Sequence, residues 1–297
     1  MAAELFPTID APSADARAQA TARQNELTKP AGSLGRLEQL GIWLSACQGV
    51  CPPKKITDPR IVVFAGDHGV AANGVSAYPT EVSLQMAANI RAGGAGINAI
   101  GSASGATVRV VDVSLDHDAE GPERVRRSCG SIDREDAMTT EEAIAAFKVG
   151  IAVADQEVDS GADLLIAGDL GIGNTTPAAA IIGSLCGAEP VKVVGRGTGI
   201  DDAAWQRKVA AVRDAMFRAR EKTSDPIAFA RTTASPDLAA MAGFLAQAAV
   251  RRTPVILDGV VVTSAALIAD LAAPGARDWW GAGHAGAEPA HAIAFGA

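Results

Sequence analysis

The chain has 297 residues, of which 48% are hydrophobic, 20% charged and 4% aromatic, and its formal net charge at pH 7 is −8. This length and composition are typical of a soluble α/β protein with a large core, and they exclude a disordered chain. The acidic balance argues against a general nucleic-acid-binding surface, which is normally basic.

The sequence also argues against a membrane or secreted protein. The longest apolar stretch, residues 254–269, is interrupted by Asp258 and is too short to span a bilayer. Residues 1–20 have no apolar core preceded by positive charge, so we expect no signal peptide. The four cysteines are not spaced as a disulfide framework, and the pair Cys47 and Cys51 has no second pair nearby with which to bind zinc. We therefore expect a cytoplasmic protein.

The predicted elements divide the chain near residue 55. Residues 13–50 are predicted to form two amphipathic helices separated near residues 29–33, and we assign residues 1–55 to a helical subdomain. In residues 56–297, short apolar runs alternate with longer helical patterns. The predicted strands are 61–64, 108–111, 164–167, 191–194 and 255–257. The predicted helices are 80–92, 139–160, 177–187, 201–220, 235–250 and 260–272.

This alternation predicts a mostly parallel, Rossmann-like sheet with helices on both faces. Residues 114–137, which are charged and rich in turn formers, are predicted to be an exposed excursion. Glycine-containing segments follow the strands at 65–69, 168–171, 195–199 and 258–259, with a fifth at 279–284. Because ligands bind at the carboxyl edge of a parallel sheet, we expect these segments to share one pocket.

The most informative segment is residues 168–177, GDLGIGNTTP, which lies between a predicted strand and a predicted helix. We expect Thr176 to cap that helix and Pro177 to be its first residue. The three glycines would let backbone amides approach an anion, so the turn is a predicted phosphate site. The alternative is a tight turn without a ligand. The carboxylate of Asp169 would repel a phosphate. If a phosphate does bind here, Asp169 must have another role, such as binding a sugar or orienting a base.

Residues 195–199, GRGTG, resemble a second anion-binding loop that opens a helix. Asp201 and Asp202 suit the positive amino end of that helix, which is a structural role. Lys208 lies about two turns further along the helix, where a lysine is more often solvated than bound to a ligand.

Residues 74–86 combine turn formers with the start of an amphipathic helix. Packing of this segment into the core is the favoured interpretation. The alternative is a flat apolar pocket that includes Met86, with Gln85 as its polar anchor and Tyr78, the only tyrosine, beside it.

A metallohydrolase is a further interpretation. Its potential ligands are Asp67, His68, Asp169, Asp258, His284 and His291. None of them shows a metal-binding spacing such as His-Glu-x-x-His on a helix. His284 and His291 are seven residues apart, but Glu288 and Pro289 would break a helix between them. We therefore predict no metal.

Several segments, in this order along nearly the whole chain, resemble one known family. They are LTKPxGxLG at 27–35, AGDHGV at 65–70, residues 74–76 and 85–86, GGA at 93–95, GIGNTT at 171–176, and residues 195–202, 258–259, 283–284 and 288–289. The family is that of the nicotinate-nucleotide:dimethylbenzimidazole phosphoribosyltransferases of cobalamin biosynthesis.

The resemblance implies transfer of phosphoribose from nicotinate mononucleotide to 5,6-dimethylbenzimidazole. The products are nicotinate and α-ribazole 5'-phosphate, with inversion at the anomeric carbon. Such an enzyme must hold the phosphate, orient both rings and remove a proton from the benzimidazole. The departing nicotinate ring is already cationic, so neither a metal nor another cofactor is implied. The resemblance also implies a homodimer whose pocket is completed by the neighbouring chain.

The resemblance further assigns roles to residues. Those around the nucleotide phosphate are Gly171, Gly173, Asn174, Thr175, Gly195 and Gly197, with Lys208 assisting. Those bordering the benzimidazole are Ser76, Tyr78, Gln85 and Met86. Asp169 occupies a position where the family often has glutamate, and Gly286 one where a phosphate-contacting serine is common.

Family members continue to a Gly-Glu-Gly-[Ser/Thr]-Gly-Ala motif whose glutamate is regarded as the catalytic base. This sequence has no such motif. We therefore expect the main base to lie beyond Ala297, Asp169 to be the only internal candidate, and transfer by this chain to be impaired. The second interpretation is a non-catalytic homologue that binds the nucleotide.

Overall fold

The strands of the protein form one parallel sheet in a computed structural model that describes residues 5–296. They are β1 (Pro59–Gly66), β2 (Thr107–Ser114), β3 (Leu164–Leu170), β4 (Val255–Leu257) and β5 (Trp280–Ala282). Their order is β2-β1-β3-β4-β5, and every neighbouring pair is parallel. The predicted parallel α/β fold is confirmed.

Helices surround this sheet. They are α1 (Ala14–Glu26), α2 (Arg36–Gln48), α3 (Glu81–Arg91), α4 (Gly96–Ser104), α5 (Thr140–Asp159), α6 (Thr175–Leu185), α7 (Pro190–Val193), α8 (Asp202–Ala219), α9 (Pro226–Thr233), α10 (Pro236–Val250), α11 (Val260–Ala272) and α12 (Pro289–Ala294). Short 3-10 helices cover Gly69–Asn73 and Ala276–Trp279. Within residues 5–296, none of the helices combines the length and apolarity that crossing a membrane requires.

Alternate residues of β1 pack on opposite faces of the sheet. Val62 and Phe64 belong to the large core cluster, where the Phe64 ring meets Phe244 of α10 edge-on at 5.3 Å. Ile61 and Val63 belong to a smaller cluster with Ile90 of α3. Because side chains of a strand point alternately to its two faces, both faces of the sheet are covered by helices, as predicted.

The predicted strand at residues 191–194 is wrong. Pro190 begins the four-residue helix α7, in which Val193 is buried but Val191 is 51% exposed. A strand inside the sheet would bury both valines, because both of its faces are covered. The sheet position next to β4 is taken instead by β5, with Ile256 opposite Gly281.

The excursion at residues 114–137 is less exposed than predicted. It forms no helix or strand after β2 ends, as expected from its turn formers. However, Leu115, Cys129 and Ile132 are buried and pack into the core clusters. The apolar residues scattered among its charges therefore anchor this segment to the body of the protein.

The two predicted amino-terminal helices are confirmed as α1 and α2. They pack on each other, and the amide of Ser13 donates to the carbonyl of Ala46 at 3.0 Å. Trp43 of α2 donates its indole N–H to the carbonyl of Asp278 at 3.1 Å, just before β5. Residues 1–4 of the predicted subdomain lie outside the described residues, as does Ala297, and a domain boundary at residue 55 stays a prediction.

The strand order locates the expected ligand crevice. The chain moves from β1 outward to β2 and then returns past β1 to β3. The connections therefore leave β1 and β3 in opposite directions, which opens a crevice at the carboxyl ends of these two strands.

Candidate active site

The carboxyl ends of β1 and β3 are in close contact. A β-carbon on Gly171, just after β3, would lie 1.8 Å from the carbonyl oxygen of Gly66 and 3.0 Å from Nε2 of His68. Glycine is therefore required at position 171 for the two strand ends to approach. The predicted convergence of residues 65–69 and 168–171 is confirmed.

The glycine turn, defined here as residues 171–175, leads directly into α6. Asn174 is the residue before the helix, so the helix begins two residues earlier than predicted and Thr176 is not its cap. Pro177 lies in the first turn, where its missing N–H has no partner within the helix. Gly173 has φ +92°, and a β-carbon there would lie 3.2 Å from Cβ of Ala71. A side chain at 173 would therefore strain the turn and press against the 3-10 helix after β1.

Lys208 is buried, so the expectation of a solvated lysine is wrong. Its side chain extends from α8, which packs against α6, and its Nζ donates to Oγ1 of Thr175 at 2.7 Å. Only 1% of the residue is exposed. Burial lowers the pKa of Lys208, and the nearby carboxylate of Glu288 opposes this shift. A desolvated cation next to a glycine turn is well suited to bind an anion.

The loop at residues 195–199 lies beside Thr175 and Lys208. A β-carbon on Gly197 would lie 3.2 Å from Oγ1 of Thr175 and 3.3 Å from Nζ of Lys208. The Gly197 amide donates to Oε1 of Glu288 at 2.9 Å. The loop follows α7 instead of a strand, yet it joins the sheet edge as the sequence predicted. Asp201 caps α8 by accepting from the amide of Ala204 at 2.8 Å.

The segment from Ser76 to Met86 lies beside this loop. The amide of Ala77 donates to Oγ1 of Thr198 at 2.9 Å, and Ser76 Oγ lies 3.4 Å from the same oxygen. Tyr78 is 55% exposed and Gln85 is also exposed, so the core-packing interpretation is wrong for these two residues. Met86 is half-buried and packs against the smaller core cluster.

Asp169, near the end of β3, has an unusual electrostatic environment. Its carboxylate accepts a hydrogen bond from the side-chain amide of Asn174. Burial, with smaller contributions from the carboxylates of Asp237 and Asp258, raises the pKa of Asp169 to about 7, and the Asn174 bond opposes the shift. A carboxyl group that titrates near neutral pH is suited to accept a proton from a substrate.

Asp237 is a residue of the site that the sequence reasoning missed. It is fully buried in the first turn of α10, where burial raises its pKa to about 7. Its Oδ2 lies 3.7 Å from Nε2 of His68, whose own pKa burial lowers to about 4. Asp237 is the only charged residue of α10, in which Gln247 is the one other polar side chain, and that isolated charge was the signal in the sequence.

Ser83 of α3 was missed as well. It is completely buried and shares one helix face with Ala87 and Ile90. A hydroxyl on an otherwise apolar stripe marks a buried polar contact, because such a group is rarely left without a partner.

The histidines of the metallohydrolase interpretation do not form a recognisable metal centre. Between residues 5 and 296, no three His, Cys, Asp or Glu side chains are placed to hold a metal ion. The rings of His284 and His291 are 5.7 Å apart, and His284 lies 3.7 Å from Asp258. As predicted, no helix joins the two histidines, since α12 begins at Pro289.

Comparison with known proteins gives one consistent result. A family model described as phosphoribosyltransferase matches residues 9–297. The nicotinate-nucleotide–dimethylbenzimidazole phosphoribosyltransferase of Corynebacterium efficiens is 66% identical over 295 residues, which cover 99% of this chain and 80% of the relative. The enzyme of the same name from Mycobacterium avium is 58% identical over 98% of this chain and 84% of the relative.

Two solved structures of proteins from this family are also similar to the chain. The structure of CobT from Thermus thermophilus has a TM-score of 0.90 and 40% sequence identity, and the match covers 95% of this chain and 86% of that one. A second structure from that organism, of a nicotinate-nucleotide–dimethylbenzimidazole phosphoribosyltransferase, has a TM-score of 0.89 and 39% identity, and the match covers 96% of this chain and 86% of that one.

Proposed function

Because the chain belongs to the nicotinate-nucleotide–dimethylbenzimidazole phosphoribosyltransferase family, we propose that the crevice between β1 and β3 is where it carries out the family's reaction. The protein is a glycosyltransferase. It transfers phosphoribose from nicotinate mononucleotide to 5,6-dimethylbenzimidazole, and so makes α-ribazole 5'-phosphate for cobalamin biosynthesis. The observation that supports the proposed location best is the buried ammonium of Lys208 beside Thr175 of the glycine turn.

The nucleotide phosphate is assigned to the glycine turn and the loop at 195–199. The contributing residues are Gly171, Gly173, Asn174, Thr175, Gly195, Gly197 and Lys208. Lys208 supports this assignment because its Nζ lies close to both segments. Within a desolvated site, one cation binds a phosphate more strongly than it would at an exposed surface.

The benzimidazole is assigned to the segment bordered by Ser76, Tyr78, Gln85 and Met86. Met86 offers an apolar surface, while Ser76 and Gln85 offer polar groups that can orient the ring. The contact between Ala77 and Thr198 brings this segment next to the proposed phosphate loop. Both substrates would therefore lie side by side at the sheet edge.

Asp169, the internal candidate for the base, is proposed to take the proton that the benzimidazole loses when the reaction runs on this chain. In the reaction, a ring nitrogen forms a bond to the anomeric carbon while the bond from that carbon to the nicotinate nitrogen breaks. The electron pair of the broken bond neutralises the cationic nicotinate ring, so the leaving group needs no proton. The proton on the second benzimidazole nitrogen must pass to a base, and a carboxylate with a pKa of about 7 is suited to that task.

The direct test is product analysis with the purified chain. We expect nicotinate and α-ribazole 5'-phosphate in equal amounts when nicotinate mononucleotide and dimethylbenzimidazole are supplied together. Binding of both substrates without either product would favour a non-catalytic nucleotide-binding homologue. Nicotinate release that needs no benzimidazole and stops on addition of a chelator would favour a metallohydrolase.

We also propose that the enzyme is a cytoplasmic homodimer whose pocket is completed by the neighbouring chain. The family resemblance supports the dimer, and the free state of the four cysteines is compatible with a reducing compartment. Light scattering that gives the mass of a single chain at working concentrations would contradict the dimer.

A further inference from the structure

A buried chain of hydrogen bonds joins three parts of the site. The backbone amide of Ile172 in the glycine turn donates to Oγ of Ser83 at 3.0 Å. The Ser83 hydroxyl donates to Oδ1 of Asp67 at 2.5 Å. The other carboxylate oxygen of Asp67 accepts from the amide of Asp116 at 2.9 Å. Ser83 is completely buried, and Asp67 is only 1% exposed.

The direction of each bond follows from the groups involved. A backbone N–H can only donate, so the Ser83 oxygen must accept from Ile172. The single hydroxyl proton of Ser83 is then free to go to Asp67, whose two oxygens both act as acceptors. Every member is satisfied, and such fully paired buried networks hold their elements in one arrangement.

This network changes the role of the Ile172 amide. The sequence indicated that amides of the glycine turn point at an anion, but the Ile172 amide is already bound to Ser83. Its contribution is therefore to fix the turn against α3. The same helix carries Gln85 and Met86, which follow Ser83 within one helical turn.

We propose that Ser83, oriented by Asp67, is a positioning residue that sets the distance between the two substrates. The inference rests on the assignment of nucleotide and benzimidazole to the glycine turn and α3 made above. The attacking nitrogen must be held about 3–3.5 Å from the anomeric carbon, and a misplacement of about 1 Å costs on the order of 100-fold in rate. Ser83 touches neither substrate in this arrangement; it holds the two elements that do.

The test compares Ser83→Ala with Ser83→Cys and with a control, Ser45→Ala. Ser45 is also a completely buried helical serine, but its hydroxyl donates only to the carbonyl of Gly41 in its own helix, at 2.9 Å. Cysteine retains nearly the shape of serine but forms only weak hydrogen bonds. The measurements are kcat at saturating substrates, the dissociation constant of each substrate alone, the pH–rate profile and Tm.

We expect kcat to fall about 10- to 100-fold in Ser83→Ala and by a smaller factor in Ser83→Cys, with wild-type turnover in Ser45→Ala. Each substrate should bind alone within about threefold of its wild-type affinity, because neither loses a direct contact. Asp67→Asn should lower kcat as well, and the double variant with Ser83→Ala should be little worse than either single one.

Three results would overturn the inference. One is wild-type kcat in folded Ser83→Ala or, if that variant does not fold, in Ser83→Cys. Another is a loss of kcat matched by equal losses of both affinities and of Tm, which would indicate a purely structural residue. The last is a shifted midpoint of the pH–rate profile, which would make the network a proton path. A wild-type protein that forms no product would instead reject the proposed function itself.

Discussion

The glycine turn is held on three sides by Asp169, Ser83 and Lys208, whereas Tyr78 and Gln85, on the proposed benzimidazole side of the site, have exposed side chains. Lys208 and Ser83 are buried, but Tyr78 is 55% exposed. The proposed nucleotide side of the site is thus preorganised by the fold, whereas the proposed benzimidazole side is open to solvent. Since preorganisation lowers the cost of reaching the transition state, changes on the nucleotide side should cost more activity.

Substitution of Asp169 by Asn is expected to have the largest effect. Loss of a general base typically costs about 100- to 10,000-fold in rate. In the wild type, kcat should rise with pH through about 7, the raised pKa of Asp169, as the carboxyl becomes a base. The variant should lose this rise, which steady-state kinetics between about pH 5 and pH 9 would measure.

Stability provides the control for Asp169→Asn. A carboxyl whose pKa is higher in the folded than in the unfolded protein favours folding while it is protonated, and that contribution is lost as pH rises from its unfolded value through about 7. Asn carries no charge, so the variant should be at least as stable as the wild type above that pH. Wild-type turnover with an unchanged pH profile would remove Asp169 as the base.

Substitution of Lys208 by Met should have the next largest effect. The loss of a charge-assisted bond to the phosphate predicts a KM for nicotinate mononucleotide that is about 10- to 100-fold higher. The affinity for benzimidazole should hardly change. Lys192→Met is the matched control, because the side chain of Lys192 is 64% exposed and pairs with Glu189 at 3.5 Å. Equal effects of the two substitutions on nucleotide binding would contradict the assigned role.

Gly173→Ala tests whether the shape of the glycine turn matters. Both Gly173 and Gly187 have a positive φ, but a β-carbon on Gly187 would meet no atom within 4 Å. Alanine with a positive φ lowers the free energy of unfolding by about 1–2 kcal/mol at either position. Chemical denaturation should show that loss for both variants, whereas calorimetry should show weaker nucleotide binding only for Gly173→Ala. Unchanged nucleotide affinity in folded Gly173→Ala would show that the turn does not contact the nucleotide.

Gln85→Ala should have the smallest effect. A hydrogen bond made at an exposed border is worth about 0.5–1.5 kcal/mol, so the KM for dimethylbenzimidazole should rise about 2- to 10-fold with little change in kcat. Gln24→Ala, on α1, is a control for the loss of a glutamine elsewhere. A large fall in kcat for Gln85→Ala would show that the benzimidazole side is as tightly organised as the nucleotide side.

Much of the architecture could be predicted because it follows from local patterns of apolar and polar residues in the sequence. Short apolar runs indicated four of the five strands, and the convergence of the strand ends followed from the parallel arrangement. The pattern failed at residues 191–194, where Pro190 starts a helix, and it gave no ordinary strand signal for the three-residue β5. A three-residue strand at the edge of a sheet forms because its residues pack against their neighbours, and their intrinsic preference for the strand conformation contributes little.

The sequence by itself determined the chemistry available at the site: the glycine turn, the carboxyl group of Asp169 and the family to which the chain belongs. The tertiary structure alone decided how these groups are surrounded. Burial turned Lys208 from an expected surface lysine into a desolvated cation and raised the pKa of Asp169. Ser83 became the link between the glycine turn and α3 only because residues 83 and 172 meet in space. Burial and long-range contacts depend on how distant segments pack, and local sequence patterns do not encode that packing.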